Sequence, residues 1–452
     1  MRSSAVIFAA LCVFSVVLGG LVTNLPGAPD VNFKQYAGYF DVGVNNGRHL
    51  HYWFVESQND PTSDPVLVWL MGGPGCSGIA ALLTEWGPFL VNNDGETLRS
   101  NPYSWNMNAN ILTLEAPAGV GFSYADNGNV SSSDPQTAEE NWEALKAFFA
   151  EFPQFRDNEF YVTGESYGGV YVPTLVDAIL RKQSEFNINL KGYAIGNGCV
   201  SLSLDTDTTI QFTYNHGLVD EAVWQKVNKE CCNGAIDGCP FHTFSGTGFC
   251  ATFVKDATAF VWKSGLNPYD IYEDCLHTGN DGFKQTRYQV DYFNKAGHEM
   301  PANLEKVQCI DEHAVTKYVN LPAVRKALYA SDKIGKWESC SLAVTTGYKK
   351  GTMEMADILK NAYKQGVRGM LYHGDVDMAC NYLLGQRFSA TLGLPLISNK
   401  AEYEVAGQVG GYHTGYDKLD FVTVRGGEHT VAANRPKIAY HIINAFLQSV
   451  AP

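Results

Sequence analysis

The stretch that most constrains this fold is an apolar run followed by a glycine-flanked serine. Residues 160–163 are typical of a buried strand, Gly164-Glu165-Ser166-Tyr167-Gly168 follows at once, and residues 170–180 are compatible with a helix. Small residues at both ends let the chain turn sharply, so the serine hydroxyl projects from the edge of a sheet. The five-residue pattern alone is weak evidence in a glycine-rich chain. Its position between strand and helix predicts a nucleophilic serine at Ser166.

Further apolar runs predict a mostly parallel sheet. Residues 66–71 are apolar throughout and end in Gly72-Gly73-Pro74-Gly75, as in a strand covered on both faces. Residues 111–114, 190–195, 370–372 and 421–424 have the same character. Asn45-Asn46-Gly47, between strand-like residues 36–42 and 48–55, predicts an antiparallel hairpin. Apolar residues at helical spacing between two runs (Trp142, Leu145, Phe148 and Phe149) indicate an α/β fold.

The length and a change of pattern predict an insertion. A chain of 452 residues exceeds the size at which one core usually stops growing. Cysteines and polar loops replace the strand pattern between residues 199 and 312, so we predict a core over residues 21–198 and 313–452 with an inserted cap subdomain over 199–312. Within the cap, residues 276–308 are polar and weakly periodic, which predicts an exposed loop open to proteolysis.

The N-terminus predicts secretion. Met1-Arg2-Ser3-Ser4 precedes apolar residues 5–18 and the small pair Gly19-Gly20, which is typical of a signal peptide over residues 1–20. A membrane anchor, the alternative, needs a longer apolar run. No later stretch is apolar enough to span a bilayer, and the net charge of -14 disfavours nucleic acids and anionic membranes. We expect an extracellular or lysosomal protein with no nucleic-acid partner and no membrane.

An oxidising compartment changes how the 11 cysteines are interpreted, because disulfides are favoured there. Four of them crowd into one glycine-rich stretch, namely Cys231, Cys232, Cys239 and Cys250. This cluster predicts a subdomain that is cross-linked by local disulfides, and a zinc site is the alternative. The sequon Asn129-Val130-Ser131 predicts a surface glycan on Asn129.

A serine nucleophile needs a base and an orienting carboxylate. Downstream candidates in that chain order are Asp375 or Asp377, then His413, His429 or His441. His441 lies on the apolar-striped last helix, over residues 439–447, and His413 is expected at a hairpin tip. His429 follows the strand at 421–424, at the edge where the serine also emerges. Position therefore favours His429 and leaves both aspartates open.

The glycine loop at residues 72–75 allows two interpretations. It is a tight turn, or it is a place where the backbone approaches a ligand and presents amide groups to it. Beside an elbow serine the second is favoured, with the oxyanion hole formed by the Gly73 and Tyr167 amides.

Four segments together resemble the serine carboxypeptidase family over a match from about residue 26 to the C-terminus. They are residues 69–77 (WLMGGPGCS), 115–124 (EAPAGVGFSY), 164–169 (GESYGG) and 374–380 (GDVDMAC). The resemblance implies an α/β-hydrolase fold, with Ser166 as nucleophile, Asp377 as orienting acid and His429 as base. It implies hydrolysis of C-terminal peptide bonds through an acyl-enzyme, with no metal and no cofactor.

The resemblance also implies roles that spacing cannot assign. Glu85 and Glu165 would share a proton and, with the Gly72 amide, hold the C-terminal carboxylate of the substrate. Two carboxyl groups forced together cannot both ionise cheaply, so one stays protonated and can donate a hydrogen bond. The implied disulfides are Cys76–Cys340, Cys231–Cys250, Cys232–Cys239 and Cys275–Cys309, which leave Cys199 and Cys380 as buried thiols.

The chain departs from the family pattern at three places. Met71 replaces an asparagine that donates to the substrate carboxylate, and a thioether cannot make that bond. Glu428 replaces a glycine beside His429, and Ala432 replaces a proline. His373 stands where the family commonly has asparagine.

The main hypothesis is a serine carboxypeptidase that acts on peptide or protein C-termini at acidic pH. Because of these departures, two alternatives stay open. One is a weak or inactive scaffold on the same fold, and the other is an esterase or amidase that needs no free carboxylate. Resemblance to the lysosomal members of the family further implies a homodimer and lysosomal glycosidase partners.

Overall fold

The computed structural model describes residues 19–277, 307–308 and 312–452, so the predicted signal peptide lies almost wholly outside the described residues. The strands are β1 (Gly20–Leu21), β2 (Gln35–Val42), β3 (Arg48–Val55), β4 (Val66–Leu70), β5 (Phe89–Val91), β6 (Leu98–Ser100), β7 (Asn110–Leu114), β8 (Tyr124–Ala125), β9 (Phe160–Glu165), β10 (Leu190–Gly196), β11 (Leu276–His277), β12 (Val307–Gln308), β13 (Arg368–Gly374), β14 (Leu396–Val405), β15 (Gln408–Tyr416) and β16 (Leu419–Val424).

The α-helices in the same part of the chain are α1 (Gly78–Thr84), α2 (Asp134–Glu151), α3 (Gly168–Arg181), α4 (Leu202–Asn215), α5 (Glu221–Glu230), α6 (Phe249–Lys263), α7 (His313–Val319), α8 (Pro322–Ala327), α9 (Leu342–Gly347), α10 (Ala356–Lys364), α11 (Tyr382–Thr391), α12 (Val431–Asn434) and α13 (Pro436–Leu447). Each predicted strand and helix outside the cap has its counterpart here.

One large sheet dominates the described residues. Its order is β1-β2-β3-β7-β4-β9-β10-β13-β16-β15-β14, with β8 beside β3. The six strands from β7 to β16 in that order are parallel, and antiparallel strands extend both edges. The predicted hairpin is confirmed, since β2 and β3 pair antiparallel with Val42 opposite Arg48.

The central strands are apolar throughout because both faces of the sheet are covered. In β4, Val66, Val68 and Leu70 belong to the core packed under α2, α3, α10 and α11. The alternate residues Leu67 and Trp69 belong to the opposite core, with α1, α7 and α13. A strand has a side-chain period of two, so each face supplies one core layer. The predicted α/β sheet between helices is confirmed.

The stretch after β10 carries helices α4, α5 and α6 and a small core of its own. Trp224, Val227 and Phe241 are buried there beside Cys232 and Cys239. The four crowded cysteines form the disulfides Cys231–Cys250 and Cys232–Cys239, so they are not zinc ligands. Of the predicted loop over residues 276–308, residues 278–306 lie outside the described part of the chain.

His413 differs from its prediction. It lies inside β15, opposite Ala401 and Val422, and not at a hairpin tip. Its Nε2 is 2.8 Å from Asp420 Oδ1. The neighbouring glycines suggested a turn, but in the structure they allow close packing within the sheet. A Cβ at Gly411, for example, would lie 1.8 Å from the Thr423 carbonyl oxygen.

Candidate active site

The serine turn is a strained strand-to-helix connection. Ser166 has φ +60°, which a residue with a side chain rarely adopts. Its N–H donates to the Gly196 carbonyl at 3.1 Å, and its own carbonyl accepts from Gly169 N at 2.8 Å. A Cβ at Gly164 would lie 2.4 Å from the Leu70 carbonyl oxygen, so only glycine lets β9 turn this close to β4.

The glycine loop after β4 packs directly against this turn. A Cβ at Gly72 would lie 2.5 Å from Tyr167 N and 2.7 Å from Ser166 Cβ. The next residue, Gly73, has φ +117°, a conformation that favours glycine. The Tyr167 hydroxyl donates to Asp134 Oδ1 at 2.9 Å, which anchors the residue after the serine. The two amides proposed for the oxyanion hole therefore lie in adjoining loops.

Asp377, and not Asp375, is the acid that contacts His429. His429 Nδ1 lies 2.8 Å from Asp377 Oδ2, and both side chains are buried. Asp375 instead accepts from Gly426 N at 2.6 Å. The strands that carry these loops, β13 and β16, are parallel neighbours, which is why their carboxyl ends meet.

Asn197 completes the surroundings of the acid. Its Nδ2 donates to Asp377 Oδ2 at 2.8 Å, and its Oδ1 accepts from Gly374 N at 2.9 Å. The backbone amides of Ala379 and Cys380 donate to the same carboxyl group at 2.9 and 3.2 Å. Asp377, which is 0% exposed, therefore accepts from three N–H donors besides its contact with the imidazole.

A short segment within the predicted cap, residues 267–271, contacts the loops of both His429 and Asp377. The Tyr269 carbonyl accepts from His429 N at 2.9 Å, and the Tyr269 ring lies 4.7 Å from the imidazole ring. The Pro268 carbonyl accepts from the Met378 and Ala379 amides at 3.0 and 3.1 Å. Residues 267–271 thus help to position both His429 and Asp377.

Glu85 and Glu165 form the buried carboxyl pair that the resemblance implies. They are 3% and 1% exposed and hydrogen-bond to one another. Burial raises the pKa of Glu85 to about 8, and burial together with the Glu85 charge raises the pKa of Glu165 well above its usual range. Among the described residues, Glu85 Oε2 and Glu165 Oε1 have no hydrogen-bond partner. The raised pKa values favour the protonated form of both carboxyl groups, and each group has one oxygen that is not used inside the protein.

The residues that depart from the family pattern lie around this site. Met71 is half-buried and packs against the apolar core that contains Trp69. His373 is fully buried; its Nδ1 lies 3.2 Å from the Cys380 carbonyl oxygen, and burial lowers its pKa to about 4, so it is neutral. Glu428 is partly exposed, and its carboxyl accepts from Thr430 Oγ1 at 2.9 Å.

Sequence reasoning missed Asn197 and Tyr269. Asn197 ends the run of β10 in Gly196-Asn197-Gly198, at the edge where Ser166 emerges. An asparagine at the carboxyl end of a central strand was the available signal. Tyr269 lies in the cap, about 160 residues before His429, and no spacing rule links the two.

Disulfides flank the site. Cys76, beside the glycine loop, is joined to Cys340. Cys199 and Cys380 are joined as well, with their Cα atoms 5.3 Å apart, so the expectation of two free thiols is wrong. They follow β10 and β13, which are parallel neighbours and bring the two cysteines to one edge. Cys275 is also in a disulfide, but its expected partner Cys309 lies outside the described residues.

The described part of the chain contains no cluster of three or more potential metal-ligating side chains, and no helix in it is long and apolar enough to cross a bilayer.

Comparison with known proteins agrees with this geometry. A family model described as serine carboxypeptidase matches residues 26–449. The lysosomal protective protein of Mus musculus is 38% identical over 445 residues, which cover 94% of this chain and 92% of that protein. Serine carboxypeptidase ctsa-4.1 of Caenorhabditis elegans is 34% identical, with 95% of this chain and 93% of that protein covered.

Among solved structures, Kex1Δp, a prohormone-processing carboxypeptidase from Saccharomyces cerevisiae, matches with a TM-score of 0.69 at 21% identity. The match covers 94% of each chain. At 21% identity, this similarity supports the fold and not the activity. With the mostly parallel sheet, it confirms the predicted α/β-hydrolase fold.

Proposed function

This chain belongs to the serine carboxypeptidase family and is a serine-type carboxypeptidase, and we propose that Ser166, His429 and Asp377 carry out its reaction. The observation that supports the assignment most is the 2.8 Å contact between His429 Nδ1 and Asp377 Oδ2. It lies at the same sheet edge as the strained serine, because β9, β10, β13 and β16 are consecutive parallel strands.

The chemistry follows from this arrangement. His429 Nε2 accepts the Ser166 proton while Oγ bonds to the carbonyl carbon of the last peptide bond. The amides of Gly73 and Tyr167 stabilise the oxyanion that forms. His429 then donates the proton to the departing nitrogen, which releases the C-terminal amino acid and leaves an ester on Ser166. Water then bonds to the ester carbonyl carbon while the same imidazole accepts its proton. The imidazolium returns that proton to Ser166 Oγ as the ester C–O bond breaks, which releases the shortened peptide. Asp377 keeps Nε2 directed at the serine and stabilises the imidazolium.

The free C-terminus is recognised by the glutamate pair and the Gly72 amide. A carboxylate can accept a hydrogen bond only from a group that carries a proton. The raised pKa values of Glu85 and Glu165 keep both carboxyl groups protonated at acidic pH, so one proton joins the pair and the other can be donated to the substrate. The proton is lost as the pH rises past the raised pKa values, and the substrate carboxylate then faces unrelieved negative charge. Carboxypeptidase activity is therefore highest on the acidic side.

The chain is made in the secretory pathway and acts in the lysosome or outside the cell. The signal-like residues 1–20, the disulfides and the exposed sequon residue Asn129 support this location. A homodimer and a complex with a lysosomal glycosidase stay predictions from the family resemblance. Sedimentation of the purified protein alone and with a glycosidase tests both.

Two measurements test the function. A fluorophosphonate probe should label the wild type and the exposed-serine control Ser184→Ala but not Ser166→Ala. His429→Ala and Asp377→Asn should each lower kcat by about 1,000-fold or more. Labelling of Ser166→Ala would contradict the assignment, and absence of labelling in the wild type would favour the scaffold alternative.

The second measurement compares an N-blocked dipeptide with its C-terminal amide. A carboxypeptidase cleaves the free acid faster at acidic pH. Equal rates on acid and amide at every pH would support the esterase or amidase alternative instead.

A further inference from the structure

Glu428 lies next to the proposed base in the chain, and both its carboxyl group and its backbone make defined contacts. Glu428 directly precedes His429, and its Oε1 accepts a hydrogen bond from Thr430 Oγ1 at 2.9 Å. Its backbone N–H donates to Asn434 Oδ1 at 3.2 Å, and a Cβ at Gly374 would lie 2.3 Å from its carbonyl oxygen. The backbone that carries this side chain is therefore fixed against the loop of the catalytic acid.

The charge of Glu428 acts on both members of the buried pair. Glu165 directly precedes the proposed nucleophile Ser166 and Glu428 directly precedes the proposed base His429, so the two acids flank the reacting residues. In agreement, the Glu428 charge raises the pKa of Glu85 and contributes to the raised pKa of Glu165. Asp270 from the cap and Asp377 also face Glu428, and each raises its pKa. Burial and these neighbours raise the pKa of Glu428 to about 7.

The groups that act most strongly on the Glu428 carboxyl group include two acids, Asp270 and Asp377. Of the groups that act most strongly on it, only the imidazole of His429 can carry a proton as a cation. The remaining neighbours are acids or the Thr430 hydroxyl. A ligand that brings a cation to this region would relieve the repulsion among the acids.

The ligand position follows from the proposed function, on which this inference rests. The two unpartnered oxygens, Glu85 Oε2 and Glu165 Oε1, belong to side chains more than nine-tenths buried, and a protonated one donates to the terminal carboxylate of the peptide. Glu428 acts on the same pair, so the residue beside it is the last residue of the peptide, the one that leaves.

We propose that Glu428 is a specificity residue that selects peptides ending in lysine or arginine. The ammonium or guanidinium group of that last side chain donates to the Glu428 carboxylate, while its α-carboxylate binds the glutamate pair. A hydrogen bond between two charged groups favours the cationic substrate by roughly 10- to 100-fold in kcat/KM.

Matched substrates test this in the wild type without any variant. N-blocked dipeptides ending in arginine or in citrulline differ by one charge and have nearly the same shape. We expect an arginine-to-citrulline ratio of kcat/KM of roughly 10 or more near neutral pH, which falls as Glu428 takes up a proton. Both substrates carry the same α-carboxylate, so titration of the glutamate pair cancels from the ratio.

Glu428→Gln should bring the arginine-to-citrulline ratio close to unity. The ratio cancels any effect on His429 or on folding, because both substrates meet the same variant enzyme. Glu402→Gln, which removes an exposed acid on β14, is the matched control and should keep the wild-type ratio.

Three results would overturn the inference: a wild-type ratio near unity at neutral pH, an undiminished ratio in Glu428→Gln, or a charge preference at the penultimate position in place of the last. Each can occur while the citrulline peptide is cleaved, in which case the carboxypeptidase assignment stands. Failure to cleave any free-acid peptide would instead reject the proposed function.

Discussion

Replacing Asn197 by alanine should slow catalysis although Asn197 reaches the serine only through Asp377 and His429. The change removes the Nδ2 donor to Asp377 Oδ2 and leaves the Gly374 N–H without its acceptor. Asn197 is 0% exposed, so water does not replace either bond. A hydrogen bond to a charged group contributes about 1.5 to 3 kcal/mol, which corresponds to roughly 10- to 150-fold in rate.

The lower end of that range is expected, because Asp377 keeps the Ala379 and Cys380 amides. We predict that Asn197→Ala lowers kcat by about 10-fold with KM little changed, since the acid orients the base and does not bind substrate. The Gly374 N–H that loses its acceptor should also lower the free energy of unfolding by about 1 to 3 kcal/mol. Asn197 has φ +35°, so Asn197→Gly, which removes the amide without a backbone penalty, should give the same loss in kcat.

Asn158→Ala is the matched control. Asn158 is a buried asparagine whose Nδ2 donates to the Pro61 and Asp64 carbonyls at 3.0 and 2.7 Å, away from the site. Urea unfolding should show comparable destabilisation in both alanine variants, with kcat reduced in Asn197→Ala alone. Equal kcat values in the two variants would mean that Asn197 serves stability only, and the reasoning about Asp377 would be refuted.

Three further outcomes are expected. Met71→Asn introduces an amide donor where the family resemblance places one for the substrate carboxylate. It should raise kcat/KM about 10-fold for free-acid dipeptides, with amides unchanged. Equal gains on both would show that residue 71 does not face the carboxylate. The folded chain binds a proton at Glu85 and Glu165 that the unfolded chain releases, so the unfolding free energy should fall as the pH rises from 4.5 towards about 8. Glu165→Gln should flatten that slope in urea midpoints measured across pH, and an unchanged slope would place the titration elsewhere. Cys76→Ser opens a loop of 264 residues and should cost about 5 kcal/mol of stability as well as activity; a variant as stable as the wild type would argue against the bridge.

The core of the fold could be predicted from the sequence because it depends on local pattern. Residues 66–71 are apolar at every position and end in a glycine-rich turn, which is typical of a strand covered on both faces. The serine turn is equally local. Gly164 allows the close approach to Leu70, and Ser166, two residues later, takes the positive φ of the turn. The order of acid and base along the chain narrowed the candidates further, but left Asp375 and Asp377 equivalent.

Tertiary structure decided the features that depend on which strands and loops lie side by side. Both aspartates follow β13, and only their side-chain directions at the sheet edge place Asp377, and not Asp375, on His429. Cys199 and Cys380 pair because β10 and β13 lie side by side, although 181 residues separate them in the chain. The carboxyl pair shows the same limit: Glu85 looks like a surface acid until α1 and β9 bury it against Glu165. A sequence specifies local conformation directly, whereas burial and shared protons arise only when distant segments pack together.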